Sequence, residues 1–301
     1  MQYQLLKLIF RFFGTSSFYD VNVPNKRVVD YSNLDDIKRG NETSVVYKDH
    51  SRVFLGWFQG RIQEHDFARK RVLDLGSGFG GRTIHYAQAG GPALCVGIDI
   101  DEVGVSEGSK FARYLGQTNL QFVLGRGEQL PFKENAFDYV LSYDVLEHVN
   151  DFEHVFQEVY RVLRKGGRFL SVFPPYYGPM GHHIKRTKLP WINVFFSTEK
   201  TYEVLRKEYG DSFELWPHRG KILRRGLNGT TVKAYRRYLG RSQYKIVHEK
   251  LAPLLSKPTE IYRGIRSQTL KELLRILFAP TPKIPMLREF LTHRIVFVLE
   301  K

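Results

Sequence analysis

The chain has 301 residues, of which 42% are hydrophobic, so it can bury a full core. A single cysteine, Cys95, excludes a disulfide framework and a thiolate metal cluster. The formal charge of +15 favours an anionic partner, which includes phosphorylated or carboxylated substrates, nucleic acid and anionic membranes.

The first segment, MQYQLLKLIFRFFG, is apolar but interrupted by charge. On a helix, Gln4, Lys7 and Arg11 fall in one narrow polar stripe, so the rest of the circumference must be buried. It can pack on the protein's own lid, or residues 1–14 can contact an anionic membrane surface. Since no segment reaches the roughly 20 apolar residues of a membrane span, we predict a cytoplasmic protein, with peripheral contact at the inner membrane surface as the second expectation.

Beyond residue 70, short apolar runs alternate with helical stretches, which predicts an α/β core with a mostly parallel sheet. We place a helical or irregular segment at 1–69 and the core at 70–301, with insertions at 174–228 and 252–292. The predicted strands are 72–75, 94–99, 120–124, 139–142, 168–173, 244–248 and 293–299. The predicted helices are 81–89, 103–115 and 151–163.

The stretch RVLDLGSGFGGR at 71–82 places four glycines in six residues directly after a predicted strand. Glycine permits positive φ and lets a ligand lie against bare backbone, so we expect a nucleotide-like cofactor here. Asp99 ends the next predicted strand, where its carboxylate can accept hydrogen bonds from ribose hydroxyls. The loop and Asp99 fit either a dinucleotide or another nucleoside cofactor, and Asp99 can alternatively cap the following helix.

Two more motifs follow, GRGEQLPFKENAFDYVLSYDVLEHV at 125–149 and VLRKGGRFL at 162–170. Together with VLDLGSGFGG and GIDID they resemble the class I S-adenosylmethionine-dependent methyltransferases, near the quinone-biosynthesis and natural-product branch. The resemblance implies a Rossmann-like fold, a seven-stranded mostly parallel sheet with a reversed final strand, a helical N-terminal segment and a lid insertion. The natural candidate for the reversed strand is HRIVFVLE at the C-terminus.

The resemblance also implies that the chain binds S-adenosylmethionine or S-adenosylhomocysteine. Asp99 would hold the ribose and Ile100 would lie against the adenine. The family usually has an acidic residue where this chain has Arg126, so Gly127 or Glu128 would substitute in adenine recognition. The implied cofactor-binding residues are Asp74, Gly76, Ser77, Gly78, Gly80, Asp99, Ile100, Gly127, Glu128 and Ser142.

In this family the residues after the fourth strand face the transferred methyl group, which here are SYDVLEHV. The implied catalytic residues are Tyr143, Asp144, His148 and, from the insertion, His183, with His148 as the general base. The alternative is that Glu147 and His148 cap and orient the next helix.

A magnesium site is a further alternative, because Asp144-x-x-Glu147-His148 resembles the ligand set of magnesium-dependent relatives. His182 or His183 would then supply another ligand. Metal-free members also carry Glu-His at this place, so we expect no metal.

The favoured function is methyl transfer, by O-methylation, to a small-molecule or lipid-linked acceptor, with 174–228 as a substrate lid. The alternative is an RNA methyltransferase using the basic run 216–250, in which tyrosines and arginines alternate. Nucleic acid is not favoured, since FPPYY has Phe173 where such enzymes carry asparagine or aspartate. An NAD-dependent dehydrogenase is a remote alternative, because no tyrosine after the glycine loop has lysine four residues on. The sequence predicts no oligomeric state.

Overall fold

The computed structural model describes residues 4–8, 51–179, 181, 191–209, 227–254, 256 and 268–301. The chain divides into two compact units. We call Val21–Phe173, Tyr238–Lys250 and Val296–Lys301 the sheet unit. We call Met1–Asp20, Pro174–Arg237 and Leu251–Ile295 the helical unit. The boundary at residue 70 stays a prediction.

Seven strands form one sheet. They are β1 Arg71–Leu75, β2 Leu94–Asp99, β3 Leu120–Leu124, β4 Phe137–Tyr143, β5 Leu163–Phe173, β6 Lys245–Pro253 and β7 Thr292–Glu300. Their order across the sheet is β3-β2-β1-β4-β5-β7-β6, and β1 to β5 pair in parallel.

The last strand is reversed. The Gly166 N–H donates to the Lys301 carbonyl at 2.9 Å, and the Lys301 N–H donates to the Gly167 carbonyl at 3.0 Å. The start of β5 therefore faces the end of β7, as an antiparallel pair requires. The Rossmann-like fold with a mostly parallel, seven-stranded sheet and a reversed final strand is confirmed.

The central strands are apolar on both faces, as expected for parallel strands covered by helices. Leu73 of β1 and Val140 of β4 are fully buried. Toward β7 the core becomes aromatic, and the rings of Phe169 and Phe297 meet edge to face at 5.1 Å. Such pairs stabilise the packing by about 0.5–1.5 kcal/mol beyond simple burial.

The described residues include the helices α1 Gly81–Ala89, α2 Glu102–Tyr114, α3 Phe152–Val162, α4 Ile192–Phe195, α5 Thr198–Tyr209, α6 Val232–Arg241, α7 Gln268–Phe278 and α8 Pro285–Leu291. Residues 4–8 and 51–56 are also helical. Helix α3 begins where the Asp151 carboxylate accepts the His154 N–H at 3.0 Å, and it buries the stripe Phe152, Val155, Phe156 and Val159. No helix in the described ranges is long and apolar enough to span a membrane.

Most predicted elements agree with the structure within two residues, but two strand boundaries differ and several helices were not predicted. Strand β5 begins five residues earlier than predicted, because Leu163 pairs with Phe137 and the glycine-rich start continues the ladder. Strand β6 continues to Pro253, five residues beyond the predicted end. The sequence analysis assigned no element to α4 and α5 in the predicted insertion 174–228, to α6, or to α7 and α8 in the predicted insertion 252–292.

Candidate functional site

The glycine-rich loop between β1 and α1 has an unusual backbone. Gly76, Gly78 and Gly80 have φ of 77°, 59° and 79°, a region that glycine occupies without strain. A Cβ added at Gly76 would collide with the Val145 side chain, and one at Gly80 would collide with the Phe122 ring. Glycine is therefore required at both positions by conformation and by space.

Asp99 lies at the end of β2 against this loop. One carboxylate oxygen accepts the Gly78 N–H at 2.7 Å, and the other accepts the Asp101 N–H at 2.9 Å. The N-cap of α2 is Asp101, which accepts the Val103 N–H at 3.2 Å. The alternative that Asp99 caps this helix is therefore wrong, and its carboxylate instead joins the end of β2 to the glycine loop.

Asp74 is buried under the loop, 1% exposed, and accepts the Thr83 hydroxyl at 2.7 Å. Burial raises the pKa of Asp74, although nearby Arg82 and the Thr83 hydrogen bond act in the opposite direction. A carboxylate held in this way is a costly arrangement for stability alone. Asp74 is thus a functional candidate with a physical reason.

Arg82 is a residue that the sequence analysis missed. It stands in the first turn of α1, where the helix dipole disfavours a cation. Its guanidinium lies 5.3 Å from the centroid of the Tyr143 ring and donates to the Gly76 carbonyl at 3.3 Å. Burial lowers the pKa of Arg82, but the nearby acidic groups, with Asp74 the strongest of them, together raise it above its usual value. A cation in this unfavourable helical position was the signal that could have identified it.

Buried hydroxyl groups lie at the carboxyl ends of the central strands. The side chains of Ser77 and Ser142 are 6% and 1% exposed, and neither Oγ has a hydrogen-bond partner within the described residues. Ser142 lies next to Leu75 of β1 in the sheet. Buried polar atoms are normally satisfied, so these two hydroxyls fit a site that is completed by a bound polar molecule.

The predicted adenine side is formed by three positions. Ile100 is 45% exposed directly after β2. Gly127 is buried, and a Cβ there would approach the Leu75 and Val155 side chains at 3.3 Å. The Glu128 carboxylate accepts the backbone N–H of Asn150 at 2.7 Å, which ties this loop to the entrance of α3.

Three of the predicted catalytic residues lie at the end of β4 or shortly after it. Tyr143, Asp144 and His148 lie in one short segment, in which Asp144 has a φ of 55° and donates its N–H to the Val172 carbonyl at 3.0 Å. His148 Nε2 lies 3.9 Å from a carboxylate oxygen of Glu147, which is 3% exposed. The N-cap of α3 is Asp151, so neither Glu147 nor His148 caps that helix.

No cluster of three or more metal-ligating side chains occurs among the residues that the structure describes. His182 and His183, which the magnesium alternative required and the catalytic set included, lie outside the described residues. About half of the predicted lid, including Lys185, Arg186 and Lys188, also lies outside them.

The basic run is described from residue 227 onward. In α6, Val232, Tyr235 and Leu239 are buried while the arginines face solvent. The ring of Tyr238 stacks on Phe152 at 5.2 Å. Because Tyr235 is buried and the Tyr238 ring stacks on Phe152, neither ring offers an open stacking platform for bases in the described part of this run.

The family model that matches this chain is described as a methyltransferase domain, and the match covers residues 73–171. These residues hold the glycine loop, Asp99 and the segment after β4, within the sheet order given above. Residues 73–171 form a class I S-adenosylmethionine-dependent methyltransferase domain. A methyltransferase domain at these residues sets the dehydrogenase alternative aside.

The methyltransferase domain has curated relatives of similar sequence. An uncharacterized methyltransferase YcgJ of Bacillus subtilis is 31% identical over 173 residues, which are 51% of this chain and 66% of the relative. A phthiotriol/phenolphthiotriol dimycocerosates methyltransferase of Mycobacterium tuberculosis is 32% identical over 119 residues, 40% of this chain and 43% of the relative. A fatty-acid O-methyltransferase of Mycolicibacterium smegmatis is 34% identical over 121 residues, with the same two coverages. This chain therefore matches about two thirds or less of the length of each of these relatives.

Among solved structures, geranyl diphosphate C-methyltransferase from Streptomyces coelicolor A3(2) has a TM-score of 0.51 and is 14% identical. The likeness covers 100% of this chain and 98% of that chain. At this identity the similarity concerns the methyltransferase fold.

Proposed function

We propose that the protein transfers a methyl group from S-adenosylmethionine to an oxygen atom of a lipid-linked or other small-molecule acceptor. The observation that carries this proposal is the Asp99 carboxylate held against the Gly76–Gly80 loop, at the sheet edge where β4 ends at Tyr143 and leads to His148. The cofactor supplies an electrophilic methyl group when it is bound. The protein must orient the two reactants, exclude water and remove a proton.

The loop and its neighbours fit the cofactor in a specific way. The Gly78 and Asp101 N–H groups hold the Asp99 carboxylate in place, where it would accept hydrogen bonds from the ribose hydroxyls. The bare backbone of Gly76 to Gly80 and the buried Asp74 would hold the methionine end, with Ser77 and Ser142 supplying hydroxyls. The exposed face of Ile100 would cover the adenine, beside Gly127 and Glu128.

His148 would remove the proton from the acceptor oxygen. Its imidazole is accessible, with 20% of the side chain exposed, and Glu147 lies 3.9 Å away. A nearby carboxylate stabilises the imidazolium that forms when histidine accepts a proton. Tyr143 and Asp144 would position the acceptor, and Arg82 would orient Tyr143 through its contact with the ring.

The lipid-linked class of acceptor is supported by the relatives. Two carry names that place their substrates among lipids, a dimycocerosate and a fatty acid. The fatty-acid relative is an O-methyltransferase, whereas another relative, of Pneumocystis carinii, is a sterol 24-C-methyltransferase. The atom that is methylated therefore has to be measured.

The proposal is tested by incubating the protein with methyl-labelled S-adenosylmethionine and either a lipid extract or an aqueous extract. We expect label in the lipid extract and an O-methyl signal in the NMR spectrum of the purified product. A carbon- or nitrogen-methylated product would contradict O-methylation. Activity lost with EDTA and restored by magnesium would support the metal alternative.

The same assay tests the general base. His148→Ala should lower the chemical step by about 100-fold or more while leaving the affinity for S-adenosylhomocysteine unchanged. The matched control is His154→Ala, since His154 lies on α3 with its side chain 64% exposed. Full activity of His148→Ala would remove the proposed base.

A further inference from the structure

Helix α7 carries an apolar stripe that the protein leaves exposed. Leu270, Leu273 and Leu277 recur at the spacing of one helix face, and Ile276 lies beside them. These four side chains are between 47% and 72% exposed. An amphipathic helix normally turns this stripe toward a core, and a contiguous exposed apolar surface indicates an interaction site.

The exposed surface continues into α8. Met286 is 84% exposed, and Leu287 and Phe290 on the same helix are also exposed. The turn at Thr281–Lys283 connects the two helices, and Arg288 donates to the Pro282 carbonyl at 2.8 Å. The apolar residues 270–290 therefore belong to one locally packed segment, which we call the exposed helical surface.

Aromatic residues border this surface within the helical unit. The Trp191 indole N–H donates to the Phe290 carbonyl at 2.7 Å, and the Phe290 ring lies 5.8 Å from that of Tyr177. Phe195, shortly after Trp191, is 70% exposed. Tryptophan and tyrosine combine an apolar body with a polar group, which suits the boundary between hydrocarbon and water.

The charge of this segment is positive. Residues 268–291 contain Lys271, Arg275, Lys283 and Arg288 against Glu272 and Glu289, a net charge of +2. Both acids are engaged: Glu272 pairs with Arg275, and Glu289 accepts the N–H groups of Val232 and Lys233 at 2.9 and 2.7 Å. Lys283 is exposed between the two helices.

We infer that the exposed helical surface binds an anionic phospholipid bilayer by lying in its interface. Apolar side chains would enter the acyl boundary, and the cations would meet the head groups. The net charge of +15 on the whole chain adds attraction at longer range. This inference goes beyond the proposed function, because vesicle binding is measured without methyl transfer, so either can fail while the other holds.

The first test is sedimentation of the full chain, at low salt, with vesicles of phosphatidylcholine and phosphatidylglycerol in a three-to-one mixture or of phosphatidylcholine alone. The wild type should bind the anionic vesicles. The variant Leu273→Gln, Ile276→Gln, Leu277→Gln should bind about tenfold more weakly, since glutamine keeps helix propensity while removing the apolar stripe. The matched control is Ile246→Thr, Val247→Thr on β6, whose residues are 51% and 42% exposed in the sheet unit.

Unchanged thermal unfolding and S-adenosylhomocysteine affinity would show that the triple variant is folded. Vesicle binding equal to that of the wild type would overturn the inference. The inference would also be overturned if the wild type did not bind vesicles but formed dimers that the triple variant does not form. The surface would then join two copies of the chain.

A second measurement reports insertion directly. Cys95 is the only cysteine in the sequence, and it is buried, which raises the pKa of its thiol well above the usual value. A cysteine introduced by Ile276→Cys can therefore be labelled selectively with an environment-sensitive dye. We expect a blue shift with anionic vesicles, and none at the control Lys133→Cys. An unshifted label at position 276 would contradict insertion.

Discussion

Leu170 and Leu277 lie in regular secondary structure, yet their surroundings are opposite. Leu170 in β5 is fully buried, whereas Leu277 in α7 is 64% exposed. In β5 the neighbouring strands and α3 cover the apolar side chains, while on α7 the protein leaves the apolar stripe open to solvent. An apolar pattern thus shows which face of an element must be covered, but it does not identify the partner that covers that face.

Glycines in the backbone show the same difference between a crowded and a solvent-exposed position. Gly76 and Gly116 both have positive φ, of 77° and 63°, but a Cβ at Gly76 would collide with Val145 whereas Gly116 has nothing within 4 Å. Gly76→Ala should therefore destabilise the protein by about 3–5 kcal/mol, from conformational strain plus overpacking. Gly116→Ala should cost about 1–2 kcal/mol, from strain alone.

Denaturant unfolding of the two glycine variants measures this difference. If Gly76→Ala costs no more than Gly116→Ala, the β-branched Val145 side chain yields to the new methyl group, and the loop is less crowded than the structure shows.

A smaller effect is expected from the two leucines. Leu170→Ala should reduce the free energy of unfolding by about 2–5 kcal/mol, because it removes buried methyl groups and leaves a cavity. Leu277→Ala should change it by about 0.5 kcal/mol or less, because the side chain already contacts solvent. Equal losses in urea unfolding would show that the α7 stripe is covered within the folded chain, which would also remove the basis for membrane binding.

Much of the sheet could be predicted from the sequence, for a physical reason. Strands β1 to β4 are short apolar runs with partners in the same domain, so periodicity locates them within two residues. The start of β5 was missed because consecutive glycines are typical of a turn. Here Gly166 and Gly167 instead belong to the strand, where they form backbone hydrogen bonds with Lys301. Helices α7 and α8 were missed although the spacing of Leu270, Leu273 and Leu277 was visible, because the flanking prolines suggested an irregular insertion.

Part of the candidate site was predictable as well. Glycines and a carboxylate at strand ends are local signals, and the structure brings Gly78 and Asp99 into direct contact. Arg82 was not recognised, since its significance depends on the burial of Asp74 and on contact with Tyr143, which is distant in the sequence. Which residues cap the helices was likewise decided by geometry, as Asp101 and Asp151 show.

The central claim is that Asp99 and the glycine loop bind S-adenosylmethionine. Calorimetric titration with S-adenosylhomocysteine should show that Asp99→Ala weakens binding by about 1.5–3 kcal/mol, or roughly 10- to 150-fold, the range for hydrogen bonds to a charged group. The control Asp101→Ala removes the side chain that caps α2, so it should cost about 1 kcal/mol of stability and leave the affinity unchanged. Unchanged affinity in Asp99→Ala, or displacement of S-adenosylhomocysteine by NAD, would contradict the account.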